Sequence, residues 1–88
     1  MADTLGLFHE ALQIARDLGY EVREEPLGDL PGGRCTVNGA THVLLNLERP
    51  VAERLDRLLA ALASDPRLQR EPKSRLLDAR LRAVAPPA

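Results

Sequence analysis

The residues with chemistry to offer gather in one stretch, LPGGRCTVNGATHVLLNLERP, positions 30–50: a glycine pair, the only cysteine, an Asn-Gly dipeptide and one of two histidines. A thiol beside an imidazole can act as a nucleophile or as part of a metal site, provided the fold brings the two together. Asn38-Gly39, set between RCTV and THVLLNL, reads as the turn of a β-hairpin, and the length of that turn decides the matter. With a two-residue turn, Cys35 stands opposite His42 on one face, but Val37 is then parted from Val43, Leu45 and Leu47. With a three-residue NGA loop, Cys35, Val37, Val43, Leu45 and Leu47 share one face, while Thr36, His42 and Leu44 take the other. Each aliphatic side chain left in water costs about 1.5–3 kcal/mol. The patterning therefore predicts the longer loop, with Cys35 as a buried, inert thiol.

Other fragments of chemistry are incomplete. HEALQ, positions 9–13, starts like a zinc-peptidase helix, but Gln13 stands where the second imidazole ligand belongs, so His9 reads as a solvated surface residue. GDLPGG, positions 28–33, has the glycines of an anion-cradling loop, yet it leads into a strand and no Gly-Lys-Ser/Thr comes after it. One cysteine forms no internal disulfide, and no zinc-ligand spacing appears. No catalytic group can be nominated from the scattered hydroxyls and carboxylates. The sequence therefore predicts a protein that is not an enzyme and has no metal or cofactor.

Twelve basic and thirteen acidic side chains leave a net charge of -1, which gives no field for nucleic acid or anionic lipid. The distribution is uneven: residues 1–30 are acidic, and residues 65–88 carry Arg67, Arg70, Lys73, Arg75, Arg80 and Arg82. These ends could attract each other within or between molecules, although the plainer reading is two solvated faces. The basic segment lacks aromatic side chains to stack on bases and is interrupted by Glu71 and Asp78, so nucleic acid is not expected as a partner. MADTLGLFHEALQIARD has no basic leader of the secretory kind, and no apolar run spans a bilayer. The expected location is cytoplasmic, without membrane contact.

The elements that must position these residues are legible from periodicity. Leu5, Phe8, Ala11, Leu12, Ala15 and Leu18 form a helical stripe capped by Asp3 or Thr4 and stopped at Gly19. YEVREEPL alternates until Pro26, which marks an edge strand or a strand end. Pro50 opens a second helix, with Val51, Leu55, Leu58, Leu59 and Leu62 as its apolar face, to about Ala63. Asp65 and Pro66 can start a short turn that Pro72 interrupts, and KSRLLDARLRAVA is helical, with Leu77, Leu81 and Val84 on one side. Residues 85–88 read as a frayed tail. The expectation is one α+β domain over residues 1–88, in the order αβββα plus a C-terminal helical segment. A three-stranded antiparallel meander is covered on one face by the first two helices.

GGRCTVNG and then HVLLNLERPVAERLDRLLAAL resemble a group of short bacterial proteins of no assigned activity. More faintly, the hairpin and helix are similar to the central part of zincin metallopeptidases of the repressor-cleaving type. In those the helix carries HExxH, whereas here Leu59, Ala60 and Ala63 fall near the ligand positions, so the resemblance implies scaffold without chemistry. Eighty-eight residues with few aromatics build a thin core, which makes self-association attractive. The expected function is a non-catalytic module that binds a protein partner or itself as a homodimer. Its surface would comprise Leu44, His42, Thr36, Leu77 and Leu81. Two alternatives are a small-molecule or anion binder using residues 28–33 and a non-catalytic metallopeptidase-like regulator.

Overall fold

A computed structural model describes residues 3–84; the tail expected at 85–88 lies outside the described residues. The elements are α1 (Thr4–Asp17), β1 (Glu21–Glu25), β2 (Gly33–Val37), β3 (Ala40–Asn46), α2 (Val51–Ala63), a 3-10 turn (Pro66–Arg70) and α3 (Arg75–Ala83). This is the α+β arrangement that the periodicity predicts. Asp3 caps α1 by accepting from the Gly6 amide, Asp65 caps the 3-10 turn and Ser74 caps α3. The Ser74 hydroxyl and amide also donate to the Glu10 carboxylate, which ties α3 to α1. Among the described residues no helix is long and apolar enough to cross a membrane.

The sheet corrects the expected meander. Its order is β1-β3-β2, with β1 parallel to β3 and β2 antiparallel to it. The physical reason lies in composition. Of the three strands, β3 is the longest and the richest in aliphatic side chains, and Val43 and Leu45 need the central position. GRCTV and EVREE, by contrast, are too polar for anything but edges. The chain must consequently leave β1, pass the end of β3 and return through β2.

That passage is pinned by Asn46, which is 2% exposed. Its carboxamide nitrogen donates to the carbonyls of Gly28 and Leu30, and its oxygen accepts from the amides of Leu27 and Glu48, at 2.9–3.0 Å. The side chain of an asparagine supplies two donors and two acceptor sites, and all four are in use. Gly32 completes the passage. It adopts φ +82°, and a β-carbon there would collide with the Leu44 carbonyl oxygen, so only glycine fits.

The core lies between the sheet and the helices. Leu7, Phe8, Ala11, Leu12, Ile14 and Ala15 of α1 meet Val43 and Leu45 of β3 and Leu55, Leu58, Leu59 and Leu62 of α2. The expected stripe is corrected at three positions: Leu5 is exposed, and Leu7 and Ile14 are buried, because α1 packs against β1, α2 and α3 and needs a broad apolar arc. Leu77 and Leu68 close the far side of the core, with Leu81 and Val84 packed against it. Leu77, expected on the interaction surface, is 1% exposed and can present nothing to a partner.

Candidate interaction face and strand edge

The hairpin turn has two residues, not three. Val37 pairs with Ala40, Thr36 with Thr41 and Cys35 with His42, while Asn38 and Gly39 take φ of 51° and 82°. Two successive positive φ values define the turn type whose twist matches the strands, and Asn-Gly is the pair best able to adopt them. Local turn chemistry prevails over patterning because β2 is an edge strand whose five residues are all exposed. With no apolar surface at stake in β2, the need to bury a row of side chains does not constrain its register.

Paired residues share a face. The face toward the helices therefore carries Val22, Glu24, Thr41, Val43 and Leu45 together with Arg34 and Thr36. The outer face carries rows that run across all three strands: Glu21, His42 and Cys35, then Arg23, Leu44 and Gly33. Cys35 is thus an exposed residue beside His42, which overturns the expected buried thiol. Thr36 lies on the opposite face from His42 and Leu44. Of the five residues expected to form one surface, only His42 and Leu44 are brought together, both half-buried. Leu47, expected to be buried with Val43, lies beyond the strand end and is exposed.

At high dilution the native Cys35 is expected to react with a thiol reagent about as fast as in the urea-unfolded chain. Protection lifted only by denaturant would return it to the core.

The two sheet edges differ in kind. On β1, Arg23 pairs with Glu25, Glu24 points inward to Arg54, and Pro26 succeeds the strand. Arg54 in turn lies over the Phe8 ring, 5.3 Å from its centroid. Charges, inward-pointing charges and proline are the devices by which an edge resists pairing. On β2 there is one charge, Arg34, whose guanidinium turns back to the Ser64 hydroxyl at 2.7 Å. The closing pair of a two-residue hairpin is hydrogen-bonded, and bonded pairs alternate along the ladder. The backbones of Val37, Cys35 and Gly33 accordingly face β3, and those of Arg34 and Thr36 face outward, with no bond to another element among the described residues. A cleft of about 240 Å³ runs along the same edge between Gly33, Arg34, Val43, the α2 residues Ala60 and Ala61, and Ser64 just past the end of that helix.

The 28–33 loop offers few amides to an anion: that of Gly28 donates to the Glu48 carboxylate and that of Leu30 to the Leu27 carbonyl, and Pro31 has none. Among the described residues, no three of His, Cys, Asp and Glu are grouped to hold a metal ion. The basic segment finds its ion-pair partners at Asp56, Asp65 and Asp78, and none of these lies in the acidic N-terminal third.

Sequence reasoning missed two polar centres. One is Asn46; the other joins the Tyr20 hydroxyl, 2.8 Å from the Asp65 carboxylate, to Arg67. The lone apolar-flanked Asn closing a strand was a usable signal, whereas the contact between Tyr20 and Asp65 is set by tertiary packing alone.

Fold and site together define a small α+β domain with a mixed sheet, helices on one face and one strand edge that carries a single charge. No family model, curated protein or solved structure matches the chain.

Proposed function

We propose that this domain is a non-catalytic protein-interaction module that accepts a further β-strand along β2. The observation that carries this reading is the asymmetry of the edges: β1 is guarded by charge and proline, whereas β2 presents the outward N–H and C=O groups of Arg34 and Thr36 with a single charge, Arg34, turned away to Ser64. Strand addition draws its affinity from such main-chain groups and its selectivity from the side chains beside them. Here those side chains are Cys35 and Val37 on the outer face, with His42 and Leu44 of β3 behind them, and on the helix face Arg34 along the cleft and Thr36 two residues further on. Leu81 is packed against the core at the far side of the domain and takes no part.

Thr36→Pro tests the reading, because it removes an outward donor and no bond to β3. Immobilised wild-type chain is expected to retain a partner, either itself or another protein, and the variant to lose it while melting at nearly the same temperature. Equal retention by both, or capture by neither, overturns the reading.

A further inference from the structure

We infer that the occupant of the β2 edge is a second copy of this chain, paired antiparallel about a two-fold axis through Cys35 to give one continuous six-stranded sheet; this rests on the strand-acceptor reading above.

The register is set by which backbone groups face outward. Centring the axis on Cys35 sets Arg34 against Thr36 of the second copy and Thr36 against its Arg34. All four outward N–H and C=O groups of each strand then find partners, in four hydrogen bonds. Moving the centre to Arg34 sets two guanidinium-bearing residues directly opposite each other, which is unfavourable. Moving it to Thr36 sets Arg34 against Asn38, whose φ of 51° takes it out of the extended strand. Only the Cys35 centre uses every outward group without like charges opposed.

Side chains support the same register. On the outer face it places Val37, 50% exposed, against Gly33 of the second copy, and nothing lies within 4 Å of the position a Gly33 β-carbon would occupy. The valine of each copy thus covers the bare glycine of the other, an exchange that a two-fold axis makes twice. On the helix face, Thr36 of the second copy comes beside the cleft between Arg34 and α2.

The two Cys35 residues become a non-hydrogen-bonded antiparallel pair, with α-carbons about 4.5 Å apart. That separation lies within the range a disulfide spans. The outer face then carries an unbroken row of Glu21, His42, Cys35 and the same three residues in reverse. Cys35 is a reporter of register, since two thiols brought face to face surrender two hydrogens to diamide, which is reduced to its hydrazine.

The experiment uses the purified chain alone. Sedimentation in reductant across a concentration series is expected to show a monomer–dimer equilibrium for the wild type and for Cys35→Ser. Thr36→Pro removes the Thr36 donor from both copies and is expected to weaken the dimer at least about tenfold. Thr36→Arg keeps the backbone donor but opposes Arg34 of the second copy, so it guards against misfolding of the proline variant and is expected to weaken the dimer as well. Diamide should convert the wild-type dimer to a disulfide-linked one and leave the dissociated Thr36 variants largely uncoupled. A monomer at every concentration overturns the inference, while the capture experiment with Thr36→Pro still decides whether the edge receives some other strand. A dimer indifferent to both Thr36 variants, or one in which Cys35 does not couple, also overturns it.

Discussion

Asn46→Leu is expected to lower the unfolding free energy by about 2–4 kcal/mol and the melting temperature by roughly 10–25 °C, although the two side chains have the same number of heavy atoms. The loss comes from four backbone groups that the carboxamide serves: the amides of Leu27 and Glu48 and the carbonyls of Gly28 and Leu30. Leaving a buried donor or acceptor without a partner costs about 1–3 kcal/mol, and the total stays below four times that because Gly28 and Leu30 reach water when the loop relaxes. Asn46→Asp separates donor from acceptor. Its carboxylate can still accept from Leu27 and Glu48, but its second oxygen would face the two carbonyls without a hydrogen to give. The folded state then favours the protonated acid, so relative to wild type this variant gains stability as pH falls toward the ordinary aspartate range and loses it as pH rises. A urea midpoint for Asn46→Leu within error of wild type would show that the passage across β3 does not depend on Asn46.

The crossing that Asn46 pins was the feature hardest to read in the sequence. Local signals gave the elements their places: Asp3, Gly19, Pro50, Asp65-Pro66 and Pro72 mark starts and stops close to where the helices begin and end. Strand order is another matter. A run such as GRCTV says nothing about whether its neighbour is EVREE or THVLL, and the choice is made by which strand most needs the centre of the sheet. The hairpin shows the same limit from the other side. Patterning asks for Cys35 and Val37 inside, but β2 lies on an edge where all five of its residues stay exposed, so the Asn38-Gly39 turn sets the register and turns both outward. The candidate surface inherits this error. Thr36 and Cys35 exchange faces, and Leu77, which periodicity placed correctly on the apolar side of α3, meets the core instead of a partner. What the sequence did hold was the contrast between EVREEP and GRCTV, which becomes meaningful once both are known to be edges.

Stability is expected to fall away at both ends of the pH scale through one buried contact, that of Tyr20 with Asp65. The two residues are 45 positions apart and join the start of β1 to the end of α2. The Asp65 carboxylate accepts from the Tyr20 hydroxyl and from the Nε, Nη2 and backbone N–H of Arg67. Hydrogen bonds from the Arg67 side chain, opposed by burial and reinforced by the Arg67 amide and Tyr20, hold the carboxyl well below the usual aspartate range. Burial first, and then the bond to Asp65, push the Tyr20 hydroxyl above its ordinary value. The signs are opposite. Asp65, depressed in the folded state, contributes stability that is complete above about pH 4 and is lost as pH falls toward its folded value. Tyr20, raised in the folded state, contributes stability that is complete below about pH 10 and is lost as pH rises through its folded value. Urea midpoints measured across pH should therefore show a plateau with two limbs. Tyr20→Phe is expected to lower the plateau by about 1–2 kcal/mol and flatten the alkaline limb, since phenylalanine keeps the packing and loses only the hydroxyl. Asp65→Asn should flatten the acid limb, because an amide accepts fewer of the Arg67 donors and does not titrate. An acid limb that survives unchanged in Asp65→Asn would assign the acid loss to other carboxylates. An alkaline limb unchanged in Tyr20→Phe would remove the hydroxyl from the account of that loss.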